Sequence, residues 1–235
     1  MEAAMLSPAE TEALWLSLKV AGVATVVGMP LAVAAAWMLS RWSFRGKWIV
    51  EGLIHLPLVL PPVVVGYALL LLLGRNGPLG AFLWDCCGLQ VAFTWSGAAV
   101  AAGVMGFPLM VRAVRLAFDG VDRGVENAAR TLGAGPWRVF LTVALPLAGP
   151  GLVAGAVLGF ARAIGEFGAT IAFAANIPGE TRTLPLAIYT ALQAPDGDGV
   201  ALRLALVSSV IALIAVGFSE WLGARARRRA EGREG

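Results

Sequence analysis

The 235-residue sequence is poor in charge, in histidine and in cysteine. Asp, Glu, Lys and Arg make up 14% of the residues, 58% are hydrophobic, and the mean hydropathy is +0.78. A chain with so little charge cannot cover a water-exposed surface, and its hydrophobicity excludes a disordered chain. His55 is the only histidine, and the adjacent Cys86 and Cys87 are the only cysteines. These counts exclude a disulfide scaffold and a Cys/His metal site, so we expect no metal. Because the chain is so apolar, we expect that a lipid bilayer is its solvent.

Signatures of a nucleotide-binding enzyme are also missing. Gly46-Lys47 is the only Gly-Lys pair, and Arg41 stands where the first glycine of a P-loop would be. A His-Glu-x-x-His zinc motif is absent as well. We therefore expect a chain that is not an enzyme and binds no cofactor itself.

Five apolar runs are long enough to cross about 30 Å of hydrocarbon as helices. They cover residues 14–39, 49–73, 91–116, 140–161 and 202–222. Before the first run, Ser7-Pro8-Ala9-Glu10 predicts a capping box. Residues 164–192 are apolar in patches and broken by polar residues and prolines, which indicates one or two short or re-entrant helices, or a sixth partial span. The fold class is therefore all-α, a single polytopic membrane domain over residues 1–235 with five to six transmembrane helices.

The basic residues predict the orientation. Thirteen of the 18 Lys and Arg fall on one side of these spans, around residues 41–47, 112–138 and 225–233. Cytoplasmic loops carry the excess of Lys and Arg, so the amino terminus is expected outside and the carboxyl terminus in the cytoplasm. This clustering beside apolar runs favours contact with membrane lipid over nucleic acid.

Three features inside the spans are candidates for function. Pro57, Pro61 and Pro62 cannot all sit in a regular helix, so the second span is either part of a route through the protein or a kink for packing. Gly151, Gly155 and Gly159 form a small-residue stripe for close packing within the subunit or in a dimer. Arg162 and Glu166, four residues apart, are either a structural pair or pathway residues.

The loop over residues 119–138 predicts a short polar helix on the cytoplasmic side. Asp122 is a good cap, and Gly133 and Gly135-Pro136 end the helix. A polar helix with little core to cover favours contact with a partner, although a plain surface turn would have the same composition.

This loop resembles the cytoplasmic motif of permease subunits of binding-protein-dependent ABC importers. The motif is Glu-Ala-Ala, three residues, Gly, nine residues, an aliphatic residue, one residue and Leu-Pro. Its positions are held by Asn127-Ala128-Ala129, Gly133, Val143 and Leu145-Pro146. The departure is Asn127 in the Glu position, with Glu126 one residue earlier.

Two further segments are similar to the molybdate branch of this family. They are Leu56-Pro57-Leu58-Val59-Leu60-Pro61-Pro62-Val63-Val64 and Gly165-Glu166-Phe167-Gly168-Ala169-Thr170. Sulfate-type permeases share the second segment and are less similar at the first. The resemblance covers roughly residues 10–222.

The resemblance implies a MetI-like permease fold and a homodimeric pore in the bacterial inner membrane. Two ATPase subunits, which carry ATP and Mg²⁺, would bind the cytoplasmic coupling helix, and an external binding protein, periplasmic or lipid-anchored, would deliver an oxyanion. Molybdate is the expected substrate, with tungstate or sulfate as alternatives. Residues 126–129, Gly133, Leu145 and Pro146 would couple to the ATPase.

Residues of the route or gate would be Pro57, Pro61, Pro62, Arg162, Gly165, Glu166, Phe167 and Gly168. Two other classes stay open: a secondary transporter, which should contain inverted repeats that are not seen here, and a membrane scaffold or enzyme, which leaves the loop spacing unexplained.

Overall fold

The computed structural model describes the backbone of residues 6–231 and the side chains of residues 6–218 and 221. The arginine cluster at residues 225–233 lies outside the described side chains. The described backbone contains helices and no strand, which confirms the all-α class. In chain order the helices are α1 (Pro8–Arg41), α2 (Lys47–Val59), α3 (Pro62–Leu73), α4 (Pro78–Cys87), α5 (Trp95–Asp119), α6 (Arg123–Thr131), α7 (Pro136–Val139), α8 (Leu145–Leu147), α9 (Gly149–Ile164), α10 (Gly168–Ala174), α11 (Leu184–Leu192) and α12 (Asp198–Glu231).

Helices α1, α5 and α9 form the packed centre of the subunit. The predicted capping box begins α1: Glu10 N–H donates to Ser7 Oγ at 3.3 Å, and Ser7 N–H donates to Glu10 Oε2 at 2.6 Å. Small side chains such as Ala21, Ala24, Ala98 and Ala102 line the contact between α1 and α5 and are fully buried or nearly so. Close approach of the helix backbones therefore supplies the dispersion contacts that hold these spans together in lipid.

Two of the five expected spans are broken. Helices α2 and α3 meet at 115°, with the bend at Leu60-Pro61, so the break expected from the three prolines is confirmed. Pro57 lies inside α2 and Pro62 starts α3.

The run 140–161, expected as one span, is divided by a bend that was not predicted. The helical segment at residues 136–147 meets α9 at 70°, and residues 140–144 form a π-helical turn. The prolines at positions 146 and 150 remove backbone donors on both sides of this break.

In the described part of the chain, α1, α5 and residues 198–218 of α12 are long and apolar enough to cross a membrane alone. The count rises to five if each bent pair is one span, which agrees with the number expected. Residues 164–192 hold the short helices α10 and α11, as predicted. Helix α4, in the loop between α3 and α5, was not predicted. Gly77-Pro78 is nevertheless a signal for a helix start, and Gly88 ends the helix in the left-handed conformation.

Candidate functional site

Helix α6 is the predicted loop helix, and its ends are made by the predicted residues. The Asp122 carboxylate accepts a hydrogen bond from Gly124 N–H at 2.7 Å, which caps the first turn. Gly133 follows the last turn with φ +85°, a left-handed conformation that glycine adopts without steric cost. The helix is thus a short rigid unit between two defined stops.

Neighbouring residues of α6 differ sharply in exposure. Asn127 and Ala128 are exposed, whereas Glu126 is only 1% exposed. One residue along an α-helix rotates the side chain by about 100°. The Glu126 carboxylate is therefore turned into the subunit, and a direct contact with another protein would require α6 to leave its place.

The buried carboxylate of Glu126 is paired with Arg41, the last residue of α1. The distance from Arg41 Nη2 to Glu126 Oε1 is 2.6 Å, and Arg41 Nε donates to the same oxygen at 3.0 Å. Arg130 lies 3.4 Å from the other carboxylate oxygen and donates to Asn127 Oδ1 at 2.8 Å. Sequence reasoning missed Arg41, because its partner is 85 positions away in the chain.

The exposed side of the loop is apolar as well as polar. Leu132 is 89% exposed just after α6, and Trp137 is 75% exposed in α7. Val125 is also exposed. Large exposed apolar side chains beside the polar helix α6 indicate a surface that another protein covers. Leu145 and Pro146 lie further on, in α8 beyond the π-helical turn, and not on α6 itself.

The two segments that resemble molybdate permeases lie against each other. Helix α3 packs on α10 so closely that a Cβ added to Gly66 would lie 2.5 Å from the carbonyl oxygen of Ala169. A Cβ added to Gly168 would lie 2.8 Å from Cβ of Pro62. The structure thus brings together segments that are more than 100 positions apart in the chain.

Arg162 and Glu166 form a salt bridge beside this contact, which confirms that they are paired. Arg162 Nη1 lies 2.6 Å from Glu166 Oε2, and the other oxygen accepts a hydrogen bond from Ala169 N–H at 2.7 Å. Glu166 is buried and a quarter of the Arg162 side chain is exposed. The carboxylate therefore neutralises Arg162 and holds the first turn of α10.

The remaining pathway candidates lie around the same place. Gly165 ends α9, and the Phe167 ring lies 5.1 Å from the Tyr189 ring. His55, in α2, uses Nδ1 for a 2.8 Å hydrogen bond with the Glu51 carbonyl oxygen.

The glycine stripe packs α9 onto α5 within the subunit. A Cβ at Gly151 would lie 2.1 Å from Cβ of Ala117, and one at Gly159 would lie 2.2 Å from Cε of Met110. At Gly155 it would lie 3.1 Å from Val114 Cγ2. The stripe is thus accounted for without a dimer interface.

At the opposite end of the subunit from α6, two contacts were not predicted. Glu10 pairs with Arg203 at 2.6 Å, which joins the start of α1 to α12. Cys86 and Cys87 are exposed, reduced and 3.3 Å apart, and their hydrogen bond raises the pKa of the Cys87 thiol.

Comparison with known proteins places the chain in a family. Residues 28–228 match the model of the binding-protein-dependent transport system inner membrane component. The chain is 54% identical to the molybdenum transport system permease protein ModB of Escherichia coli (strain K12), over 96% of this chain and 99% of that relative. It is 50% identical to the protein of the same name from Haemophilus influenzae, over 94% and 96% of the two chains.

Two solved structures have a similar fold at low sequence identity. The MetNI methionine ABC transporter gives a TM-score of 0.73 at 17% identity, over 94% of this chain and 99% of that one. The bacterial alginate ABC transporter in complex with an alginate pentasaccharide-bound periplasmic protein gives 0.71 at 18%, over 94% and 80%. These likenesses show a MetI-like permease fold.

Proposed function

The chain belongs to the family of binding-protein-dependent transport system inner membrane components, and from this membership we propose that it is the permease of an ATP-driven molybdate importer. Molybdate is proposed as the substrate because the chain is 54% identical to a molybdenum permease over nearly the full length of both chains. The broken second span and the Gly-Glu-Phe-Gly segment are the parts of this chain that carry the resemblance.

The partners follow from the surface that α6 presents. Two ATPase subunits would bind the exposed sides of α6 and α7 and supply all of the ATP and Mg²⁺ chemistry, so this chain stays non-catalytic and without a cofactor. A second copy of the chain would complete the pore, and an external binding protein would deliver the anion. These assignments rest on the exposed apolar loop and on the fold.

The orientation that fits this arrangement has α6 in the cytoplasm, the amino terminus outside and the carboxyl terminus inside. The native cysteines test it without any mutation, because both are exposed and lie in α4. A membrane-impermeant maleimide should label intact spheroplasts at these residues, faster as pH rises because the raised pKa of Cys87 leaves little thiolate at neutral pH. Labelling only after lysis would reverse the proposed topology.

Coupling would occur through the exposed face of α6. Ala128 is small, so an ATPase groove can approach the helix backbone. Because α6 is held at Asp122 and Gly133, displacement of the helix moves it as a unit.

The route for the anion would run along the contact of α3 with α10. A dianion is repelled by a free carboxylate, and here Glu166 is buried and paired with Arg162. Pro57, Pro61 and Pro62 would let α2 and α3 change their angle as the route opens. Cysteine accessibility at residues 57–62 tests this: absence of aqueous labelling in every nucleotide state would contradict the lining role.

The decisive experiment is reconstitution. The chain should co-purify with an ATPase and, in proteoliposomes, take up radiolabelled molybdate only with ATP and a loaded binding protein. Excess tungstate or sulfate as competitor tests the two related substrates, and uptake driven by an ion gradient without ATP would indicate a secondary transporter instead.

A further inference from the structure

The guanidinium of Arg41 joins three helices at one end of the subunit. Arg41 is the last residue of α1, and its Nε and Nη2 bind Glu126 of α6. Nη2 also donates to the Phe118 carbonyl oxygen of α5 at 2.8 Å. Nη1 donates to Ser40 Oγ at 2.9 Å. Every nitrogen of this side chain is therefore used within the subunit.

Burial makes this junction hard to open. The Arg41 side chain is 9% exposed and that of Glu126 is 2% exposed, and the Trp37 ring lies 5.2 Å from the guanidinium carbon. Separating a buried pair leaves an uncompensated charge away from water, which costs far more than moving the pair together. Motion of α6 should therefore carry the end of α1 with it.

A second set of contacts extends the junction to the broken span. Ser40 Oγ donates to Asp119 Oδ1 at the end of α5. Arg115 of α5 pairs with Glu51 of α2 at 2.8 Å and lies 3.7 Å from Asp119. Helix α2 has no buried residue. The Arg115–Glu51 ion pair is therefore an important polar contact between α2 and the packed centre. Polar contacts thus run from α6 to the helix that precedes the bend.

We propose that Arg41 is the positioning residue that locks the coupling helix to α1 and α5, so that displacement of α6 by an ATPase moves all three helix ends as one body and reaches α2 through Arg115 and Glu51. The proposal rests on the proposed function, since it takes α6 as the docking element. It assigns Glu126 to this internal lock and leaves Asn127 and Ala128 for the partner.

Substitutions test the lock in the reconstituted importer. Arg41→Gln and Glu126→Gln should each lower molybdate uptake per ATP hydrolysed by about tenfold, within the 5–150-fold range typical of site coupling. ATPase binding should persist, because the exposed face of α6 is unchanged. Arg45→Gln, which removes an exposed charge four residues further on, is the matched control and should keep wild-type coupling. The swap Arg41→Glu/Glu126→Arg should recover part of the loss, and Arg41→Lys should be intermediate.

A distance measurement tests the same idea without changing the pair. Spin labels at Trp42 and Thr131, both exposed, in a Cys86→Ser/Cys87→Ser background report the separation of the ends of α1 and α6. With labelled chains diluted into unlabelled ones, so that only the distance within one subunit is read, we expect the same distance in the nucleotide-free and ATP-bound importer and a broadened distribution in Arg41→Gln. A wild-type intrasubunit distance that changes with nucleotide would overturn the proposal, and it does so even if the Arg41 variants fail to fold.

The two proposals fail in different ways. If the wild-type chain neither binds an ATPase nor takes up molybdate, the proposed function is wrong. If the wild type is coupled and both Gln variants are coupled equally well, the importer stands and the Arg41 lock is refuted.

Discussion

The contact between α9 and α5 gives a prediction whose size follows from one distance. In Gly151→Ala the new methyl would lie 2.1 Å from Cβ of Ala117. Carbon atoms in contact are about 3.5–4.0 Å apart, so the two helices must separate locally by roughly 1.5 Å. Neither atom belongs to a flexible side chain that could move aside. Overpacking of this kind costs about 1–3 kcal/mol.

Part of that cost is offset, because alanine favours a helix interior over glycine by about 1 kcal/mol. Near the start of α9 the offset is smaller, so a net loss of roughly 1–2 kcal/mol remains. For a chain of this size, that loss lowers the midpoint of thermal unfolding by about 2–8 °C. The assay is thermal unfolding of the purified protein in detergent.

A double-mutant cycle identifies the clash as the cause. Ala117→Gly removes the opposing methyl, so Gly151→Ala should be far less destabilising in that background, with a coupling of at least about 1 kcal/mol. Gly22→Ala, which meets nothing within 4 Å, is the control and should be neutral or stabilising. An unchanged midpoint in Gly151→Ala, or additive effects in the cycle, would refute the packing argument.

Three further changes test the coupling and pathway surfaces. Gly66→Ala should push α3 away from Ala169 and lower molybdate uptake by about tenfold or more while ATPase binding persists, whereas Gly52→Ala, with open space around it, should transport normally. Gly133→Val places a β-branched residue at φ +85° and should weaken both coupling and ATPase binding, as measured by co-purification and uptake. Ala128→Trp should reduce ATPase association by blocking close approach to α6. Because this position is exposed, the thermal midpoint of the membrane domain should stay unchanged. Full association of the ATPase with this variant would contradict the docking face.

Local signals were enough to predict much of the fold. Ser7 and Glu10 form the expected capping box, Asp122 caps α6, and Gly133 is left-handed as its place after the helix suggested. Each of these features depends on residues within a few positions of each other. Run length also predicted five spans, because the hydrocarbon thickness sets the number of apolar residues; the described residues contain three such helices, or five if each bent pair is one span.

The long-range contacts that organise the site could not be predicted from local sequence signals. Arg41 and Glu126 are 85 positions apart, and nothing in the spacing of either residue marks the other. The close contact of Gly66 with Ala169 likewise depends on how α3 and α10 lie after the bend. The break before α9 was missed, although Gly149-Pro150 is a visible signal, because the apolar run across it is continuous in hydropathy.

If the anion passes beside Arg162 as proposed, charge compensation by Glu166 would allow the permease to release it. A single unpaired arginine at about 4 Å attracts a unit charge by roughly 4 kcal/mol at an effective dielectric constant near 20, and thus a dianion by roughly 8 kcal/mol. That energy corresponds to about a million-fold in a dissociation constant, which would trap molybdate in the route. In this chain Glu166 lies 2.6 Å from Arg162, so most of that attraction is cancelled before the anion arrives. In the proposed importer, capture of scarce anion would then fall to the external binding protein, and directional release to ATP-driven movement of helices that bind the anion only weakly.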